Sequence, residues 1–156
     1  MEEAMQDLRV PPMRWPSQRG SAIVELTLLV PLVLLMLLGT ADFARVFYTA
    51  LSVSQAARAG VQYGDQDNEK SKDSAGMKKA AQLAAQDIGT LSTITAGSYC
   101  QCADSSKVDC VSGTCPEGSP QIYVIVTAGK IFQTLWHYPG IPPSVALSRT
   151  AIMRVQ

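Results

Sequence analysis

An acidic residue inside an apolar run is the first feature of this sequence that could do chemistry. Glu25 follows Gly20 by five positions, and residues 20–41 read GSAIVELTLLVPLVLLMLLGTA. A carboxylate at the centre of a membrane span costs roughly 2.5 to 3.5 kcal/mol, and less near the end of the span. Glu25 is therefore expected either to reach the lipid headgroups or to meet a positive charge on another molecule.

Four closely spaced cysteines are the second such feature: Cys100, Cys102, Cys110 and Cys115 lie in a stretch rich in Ser, Gly and Asp. Zinc ligands usually come as two pairs spaced by two to four residues, a pattern that C-x-C followed by C-x4-C fits only loosely. Two disulfides are favoured if the segment is exported to an oxidising compartment. A bridge between Cys100 and Cys102 is disfavoured, because their Cα atoms on an extended chain stand about 7 Å apart. Cys100 is thus expected to pair with Cys110 or Cys115, in bridges that stabilise a small domain.

The sequence contains no other group of residues typical of an active site. His137 is the only histidine, and neither a metalloprotease helix motif nor a phosphate-binding loop is present. Trp136, Tyr138 and Pro139–Gly140 are expected to form an aromatic turn that covers a sheet. With 13 basic and 13 acidic residues, nothing suggests a nucleic-acid partner. We therefore predict no enzyme activity, no metal and no cofactor.

The apolar run predicts how the chain is divided. As a helix, Ser21–Ala41 covers roughly 31 Å, the thickness of a bilayer core. Residues 1–20 carry three prolines and no helical or strand period, which is typical of a flexible leader. The predicted organisation is a cytoplasmic leader (1–20), a span (21–41) and an exported domain (42–156).

Charges flanking the span predict its orientation. Arg14 and Arg19 precede it and favour an N-terminus inside the cell and an exported C-terminus, although Arg45 and Arg58 follow on the far side. We therefore expect a single-pass membrane protein that contacts lipid through its span.

The helix is predicted to continue past the span, from Ser21 to Gly64, because apolar residues recur at spacings of three and four. This stripe could pack on its own domain, on neighbouring subunits, or on both through different faces. It consists of Phe43, Val46, Phe47, Ala50, Leu51, Ser54, Ala57 and Val61.

A second helix and three strands are predicted to follow. Asp73 or Ser74 can cap the helix, and Gly89 can end it, with Met77, Ala80, Ala81, Ala84 and Ile88 as its apolar stripe. Residues 92–99, 121–128 and 144–155 are rich in β-branched residues, the second being apolar on both faces and hence central. The last is expected to be half-buried. Helices followed by strands predict an α+β fold with a small antiparallel sheet against the long helix.

The stretch GSAIVELTLLVPLVLLMLLGTADFARVFYTALSVSQAARAG resembles the N-terminal region of TadE-like proteins, minor pilins or pseudopilins of the tight-adherence branch of type IV pilus systems. The final segment, PGIPPSVALSRTAIMRV, also resembles the end of that family. Two departures bear on the subunit type. Ser21 stands where the mature chain of many type IV pilins begins with Phe. Leu26 follows the Glu where the very short major pilin of that branch tends to have Tyr, and the large domain that comes after it also argues for a minor subunit.

The resemblance implies a role for each residue at the start of the run. A prepilin peptidase would cut between Gly20 and Ser21, making Glu25 the fifth residue of the mature chain. The protein would be a bacterial inner-membrane protein that assembles with other pilins at an inner-membrane platform and supports pilus formation, adhesion and surface attachment. Glu25 would neutralise the new terminal ammonium of a neighbouring subunit.

Two other functions remain open from the sequence. The chain could be a single-pass anchored periplasmic binding module whose Glu25 only reaches toward the headgroups. It could also be a secreted domain with an ordinary signal peptide, since Leu26–Leu38 is an apolar core and Gly39-Thr40-Ala41 resembles a small-residue cleavage site.

Overall fold

A computed structural model describes residues 19–136, 140 and 142–155, without the side chains of Arg19 and Ser21. The leader thus lies outside the described residues except for its last two positions, as do His137, Tyr138 and Pro139. The chain divides into two compact units, Met1–Gly39 and Thr40–Gln156. The elements are α1 (Arg19–Gly64), α2 (Ser74–Ala84), β1 (Thr93–Gln101), β2 (Lys107–Val108), β3 (Gln121–Gln133) and β4 (Ser144–Arg154), with short 3-10 helices at Lys70–Lys72 and Gln86–Ile88.

The described part of the first unit is the beginning of α1. Its leucines, valines and isoleucines are exposed on every side of the helix. Among the described residues, one helix, Ala22–Gly64, is long and apolar enough to cross a membrane. A helix that is apolar all round requires an apolar surrounding, which is consistent with a single-pass membrane anchor.

The second half of α1 belongs to the other unit and packs there on the sheet. Val53, Ala56, Ala57 and Val61 are buried in two core clusters with residues of α2 and β3. Small residues bring the backbones close together. A Cβ atom placed at Gly60 would stand 2.9 Å from Cγ1 of Val126 and 3.1 Å from the carbonyl oxygen of Met77.

The predicted apolar stripe of α1 is divided between two faces. Ala57 and Val61 are buried, whereas Phe43, Phe47 and Leu51 are exposed. The face that packs on the sheet is centred about a third of a turn from the predicted stripe and nearly opposite its exposed large residues. It is formed by smaller residues, including Thr49, Ser52, Val53, Ala56 and Gly60. The spacing of large apolar residues therefore locates the outward face, and the small residues locate the buried one.

The N-terminal cap of α2 is confirmed, but its C-terminal end differs from the prediction. Asp73 Oδ1 accepts a hydrogen bond from the backbone N–H of Gly76 at 2.8 Å. The α-helix ends at Ala84 and is followed by the 3-10 helix Gln86–Ile88 rather than continuing to Gly89. Because the tighter turn shifts the register, Ala85 is buried in place of the predicted Ala84.

The four strands form one antiparallel sheet in the order β2-β1-β3-β4. β3 is central as predicted, with Val126 opposite Ala96 of β1 and Ala151 of β4, and it continues beyond residue 128 to Gln133. The two-residue β2 was not predicted. β4 is an edge strand and is more exposed than predicted, with only Leu147 and Ala151 of the strand partly buried. The α+β class, the long helix and the antiparallel sheet are confirmed.

Candidate functional site

The residues predicted for processing lie in the first turn of α1. Gly20 is exposed, and a Cβ atom built on it meets no atom within 4 Å. Ser21 has a helical backbone. The peptide bond between them therefore lies at the beginning of the apolar helix, where a Cβ atom at Gly20 would be in open space with respect to the described residues.

Glu25 lies one turn further along the helix and is exposed. Together with Gly20, Val24, Leu28 and Leu29 it lines a shallow, mostly apolar depression on the helix surface. No described side chain of opposite charge lies within ion-pair distance of it. In water this carboxylate is solvated, but in hydrocarbon it requires a cation from another molecule or access to the headgroups.

Further along α1, three large apolar side chains lie on one exposed face. Phe43, Phe47 and Leu51 are spaced by four residues, so they follow one another along the helix, and 74%, 60% and 47% of their surfaces are exposed. We call these three residues the outer stripe. They contribute nothing to the two core clusters.

A buried carboxylate connects the same part of α1 to the end of β3. Asp42 is 6% exposed and accepts hydrogen bonds from the backbone N–H of Leu135 at 3.1 and 3.2 Å. Nη1 of Arg45 donates to it at 3.1 Å, and the Arg45 guanidinium lies 5.2 Å from the ring centroid of Phe132. Because the carboxylate is paired and hydrogen-bonded, its burial is compensated.

Sequence reasoning missed this role of Asp42. A signal was present: an acid directly after the apolar run, with an arginine three residues later on the same helix face.

Beside this connection an open cleft of about 710 Å³ lies between α1 and β3. Its acidic residue, Asp87, accepts a hydrogen bond from Ser52 at 2.8 Å. A second hydrogen bond, from Tyr48, is the largest cause that lowers the pKa of Asp87 and raises the pKa of the Tyr48 phenol. Lys130 donates to the carbonyl oxygen of Thr90 at 2.6 Å. The charged groups that line the cleft are thus already hydrogen-bonded within the chain, as is typical of groups that hold a fold together.

The four cysteines form two disulfides, in agreement with the predicted disulfide-bonded loop. Cys100 pairs with Cys110, and Cys102 pairs with Cys115. The first pairing is one of the two that the sequence left open. All four sulfur atoms are bonded to sulfur, which selects the disulfide alternative over zinc. The bridges lie at the end of the sheet where β1 pairs with β2 and with the beginning of β3.

The aromatic turn predicted around residues 136–140 does not cover the sheet with Trp136, whose surface is 66% exposed. Its neighbour Leu135 is 61% exposed although its backbone is held by Asp42. Tyr138 and Pro139 lie outside the described residues. The physical reason is that β3 extends five residues past its predicted end, which carries this segment beyond the end of the sheet.

The structure places the predicted site residues in different units. Gly20, Ser21 and Glu25 belong to the unit Met1–Gly39, and the disulfides belong to Thr40–Gln156. Asp42 and the outer stripe, which sequence reasoning did not single out as site residues, belong to the second unit.

Comparison with known proteins gives one match. Residues 20–62 match a family model described as TadE-like protein. The matched segment begins at Gly20, contains Glu25, Asp42 and the outer stripe, and ends near the end of α1. It confirms the suspected TadE-like resemblance over those residues. No curated protein and no solved structure matches the chain.

Proposed function

We propose, from the TadE-like match over residues 20–62, that this protein is a minor pilin of a tight-adherence pilus system. The match itself implies a minor pilin associated with that type of pilus. The finer proposal is that prepilin peptidase cuts the chain after Gly20, and that the mature subunit leaves the inner membrane to join a filament. In this role the protein is a structural subunit without enzymatic activity, and it supports pilus assembly, adhesion and surface attachment.

The observation that carries the proposal is Glu25, an exposed carboxylate without an ionic partner among the described side chains, close to the start of an apolar helix. Hydrolysis of the bond between Gly20 and Ser21 leaves a carboxylate on Gly20 and a protonated amine on Ser21. In a filament, the Ser21 ammonium of one subunit and Glu25 of the next can neutralise one another. Two charges that would each be costly in an apolar setting then become one ion pair.

The outer stripe supports packing between subunits. The domain buries the opposite, small-residue face of α1 and leaves Phe43, Phe47 and Leu51 uncovered. An apolar row of this kind on a soluble domain is typical of a surface that another protein covers. Helices of other pilins or pseudopilins are the partners that the proposal assigns to it.

The proposed orientation places the N-terminus in the cytoplasm and the second unit in the periplasm. Arg14 and Arg19 precede the apolar helix, which favours retention of that end. The disulfides favour an oxidising compartment for the other end, because cytosolic thiols are kept reduced. The remaining proposed partners are prepilin peptidase, the inner-membrane assembly platform and membrane lipid.

The decisive experiment compares Glu25→Ala with the wild type in cells that produce the pilus. Removing the charge makes the helix more apolar, so insertion and cleavage should be unchanged. Incorporation should fall strongly, because the partner ammonium is left unpaired. Recovery of the protein in sheared pili and its co-purification with other pilins measure incorporation. Glu117→Ala, which removes the same charge from the exposed cysteine segment, is the matched control and should behave as the wild type.

Intact mass of the membrane-extracted protein tests the processing step. A mature chain that begins at Ser21 supports the proposal. A chain that still begins at Met1 would instead indicate an anchored module, and one that begins at Asp42 a secreted domain. Normal incorporation of the Glu25→Ala protein would remove the assigned role of the carboxylate.

A further inference from the structure

Two adjacent large apolar side chains lie where the chain leaves β3. Leu135 and Trp136 are both mostly exposed, and so is Phe43 on α1. These side chains lie outside the two core clusters. Nevertheless, the backbone of Leu135 is fixed by its two hydrogen bonds to Asp42, so the exposed side chains are held in place.

The position of this group follows from covalent distance. Asp42 directly follows Ala41, the last residue of the predicted span. Consecutive Cα atoms are about 3.8 Å apart, and the carboxylate of Asp42 reaches the backbone of Leu135 directly. The backbone of Leu135 therefore lies within roughly 10 Å of the end of the span, given one residue step, one short side chain and one hydrogen bond.

The chemistry of the group matches the boundary between lipid headgroups and acyl chains. Tryptophan is enriched at that depth because its ring is apolar while its indole N–H remains hydrogen-bonded. Leucine and phenylalanine can enter the adjacent acyl region. Arg45, which donates to Asp42, keeps about half of its side chain exposed, so its guanidinium is available to a lipid phosphate.

We propose that Leu135 and Trp136, together with Phe43, form a second membrane contact, seated in the headgroup–acyl boundary of the bilayer that α1 crosses. Asp42 acts as the tether that brings the end of β3 to this depth. The inference rests on the anchoring part of the proposed function and goes beyond it, because it assigns lipid as the partner of a surface in the second unit. The contact is made before assembly, while the subunit is in the membrane.

Tryptophan fluorescence tests the proposal directly, because the chain contains only two tryptophans, Trp15 and Trp136. The full chain with Trp15→Phe carries Trp136 as its single probe. It is reconstituted in phosphatidylethanolamine–phosphatidylglycerol vesicles whose acyl chains are brominated close to the glycerol. Flotation of the vesicles after alkaline extraction establishes in the same sample that α1 is inserted.

A matched control places the probe at the other end of the sheet. Val111 is 96% exposed and follows Cys110, which is bridged to Cys100 opposite Ile122 at the beginning of β3. At about 3.3 Å per residue, β3 separates this end from Leu135 by about 40 Å. The control chain combines Trp15→Phe, Trp136→Phe and Val111→Trp.

The fluorescence of Trp136 should be strongly quenched by the brominated lipid and protected from aqueous acrylamide. The tryptophan at position 111 of the control should be quenched by acrylamide and little affected by the brominated lipid. A floating protein whose Trp136 is accessible to acrylamide and unquenched by lipid overturns this inference but leaves the anchor intact. A protein that does not float overturns both. Trp136 could instead be protected from acrylamide without being quenched by the lipid. If that protection disappears when the protein is diluted with more lipid, a second copy of the chain covers the group, and the inference is again overturned.

The role of the tether is tested with Asp42→Ala in the same Trp136 background. Loss of the two hydrogen bonds should release the end of β3, and lipid quenching should fall toward the control value. Retention of both disulfides, read by mass before and after reduction, shows that the sheet is still formed. Undiminished quenching in such a protein overturns the role of Asp42.

Discussion

The two halves of α1 form one continuous helix but differ in what surrounds them. Residues 19–39 expose leucine, valine and isoleucine on every side. Residues 40–64 bury one face, built largely of alanine, glycine, serine and valine, and leave the outer stripe on another. Hydrophobicity alone therefore does not decide whether a helix packs on its own domain. The second half has one face of small side chains, which is flatter than its other faces, and the first half has no such face.

This difference separates two kinds of mutational effect. A substitution in the first half changes only what the helix offers to lipid, to the peptidase or to other subunits. A substitution on the small-residue face of the second half changes the free energy of unfolding, because close-packed interiors tolerate added volume poorly.

The largest effect is expected from Gly20→Val. A peptidase that approaches the backbone closely at this position should not accept a branched side chain, so cleavage should be abolished and a full-length membrane-bound precursor should accumulate. A Cβ atom at Gly20 has no described atom within 4 Å, so the domain should fold normally. Intact mass and membrane fractionation measure the outcome, with Gly39→Val as the processed control. A Gly20→Val protein of mature size would contradict the proposed processing site.

Gly60→Val should cause the largest loss of folding stability. Even its Cβ would meet Val126 at 2.9 Å and the Met77 carbonyl oxygen at 3.1 Å. The strain should cost about 3 kcal/mol, which corresponds to a fall in Tm of roughly 10 °C. Gly39→Val, where a Cβ has open space, should leave the Tm in detergent unchanged. Equal losses for both variants would show that the two halves do not differ in packing.

Removal of the disulfides should destabilise the second unit without affecting insertion of the first. The bridged residues are separated by 10 and 13 positions, for which loss of each bridge should cost about 2 to 3 kcal/mol. Thermal unfolding of two double Cys→Ser variants, one at positions 100 and 110 and one at positions 102 and 115, measures the loss of stability for each bridge separately. Non-reducing mass of the wild type should show four fewer hydrogens than the reduced protein. Free thiols in protein taken from the cell envelope would contradict the two bridges.

The smallest effect is expected from acid. Hydrogen bonds from the Gly76 backbone and then from Tyr63 lower the pKa of Asp73 below its ordinary value of 3.8. Because the folded-state pKa is depressed, its contribution is complete above about pH 4 and is lost as the pH falls through the folded-state value.

Asp73→Asn keeps a capping side chain but removes the titration, so its Tm should fall less steeply than that of the wild type below pH 4. The expected difference is at most a few degrees. Glu117→Gln, which removes one exposed carboxylate elsewhere, is the charge-matched control. Parallel curves for the wild type and Asp73→Asn would show that the cap does not contribute to acid sensitivity.

The sequence was sufficient for features determined by local chemistry. The length of α1, the cap at Asp73 and the central position of β3 each follow from a periodicity or a residue type that acts within a few positions. The two disulfides follow from spacing and compartment, although spacing left two partners open for Cys100. The choice of Cys110 as the partner of Cys100 depends on the fold of β1 and of the loop that follows it.

Features that depend on contacts between distant segments were not predictable from local patterns. The buried face of α1 is set by the shape of the sheet, to which Gly60 and Ala56 are fitted, and so the stripe of larger residues did not mark it. Asp42 gains its role from Leu135, 93 residues away in sequence. Trp136 does not cover the sheet because β3 continues to Gln133, a length that the residues around 128 did not indicate.

The pairing of the cysteines also determines what one proteolytic cut can do. The two bridges interleave along the chain, Cys100 to Cys110 and Cys102 to Cys115. Any single cut between Cys100 and Cys115 is therefore spanned by at least one of them, including a cut beside the fully exposed Val111. A protease that cuts once in this segment would leave the two fragments covalently joined, with β1 still attached to β3. An exposed segment of the domain is thus one where a single cleavage cannot release a fragment.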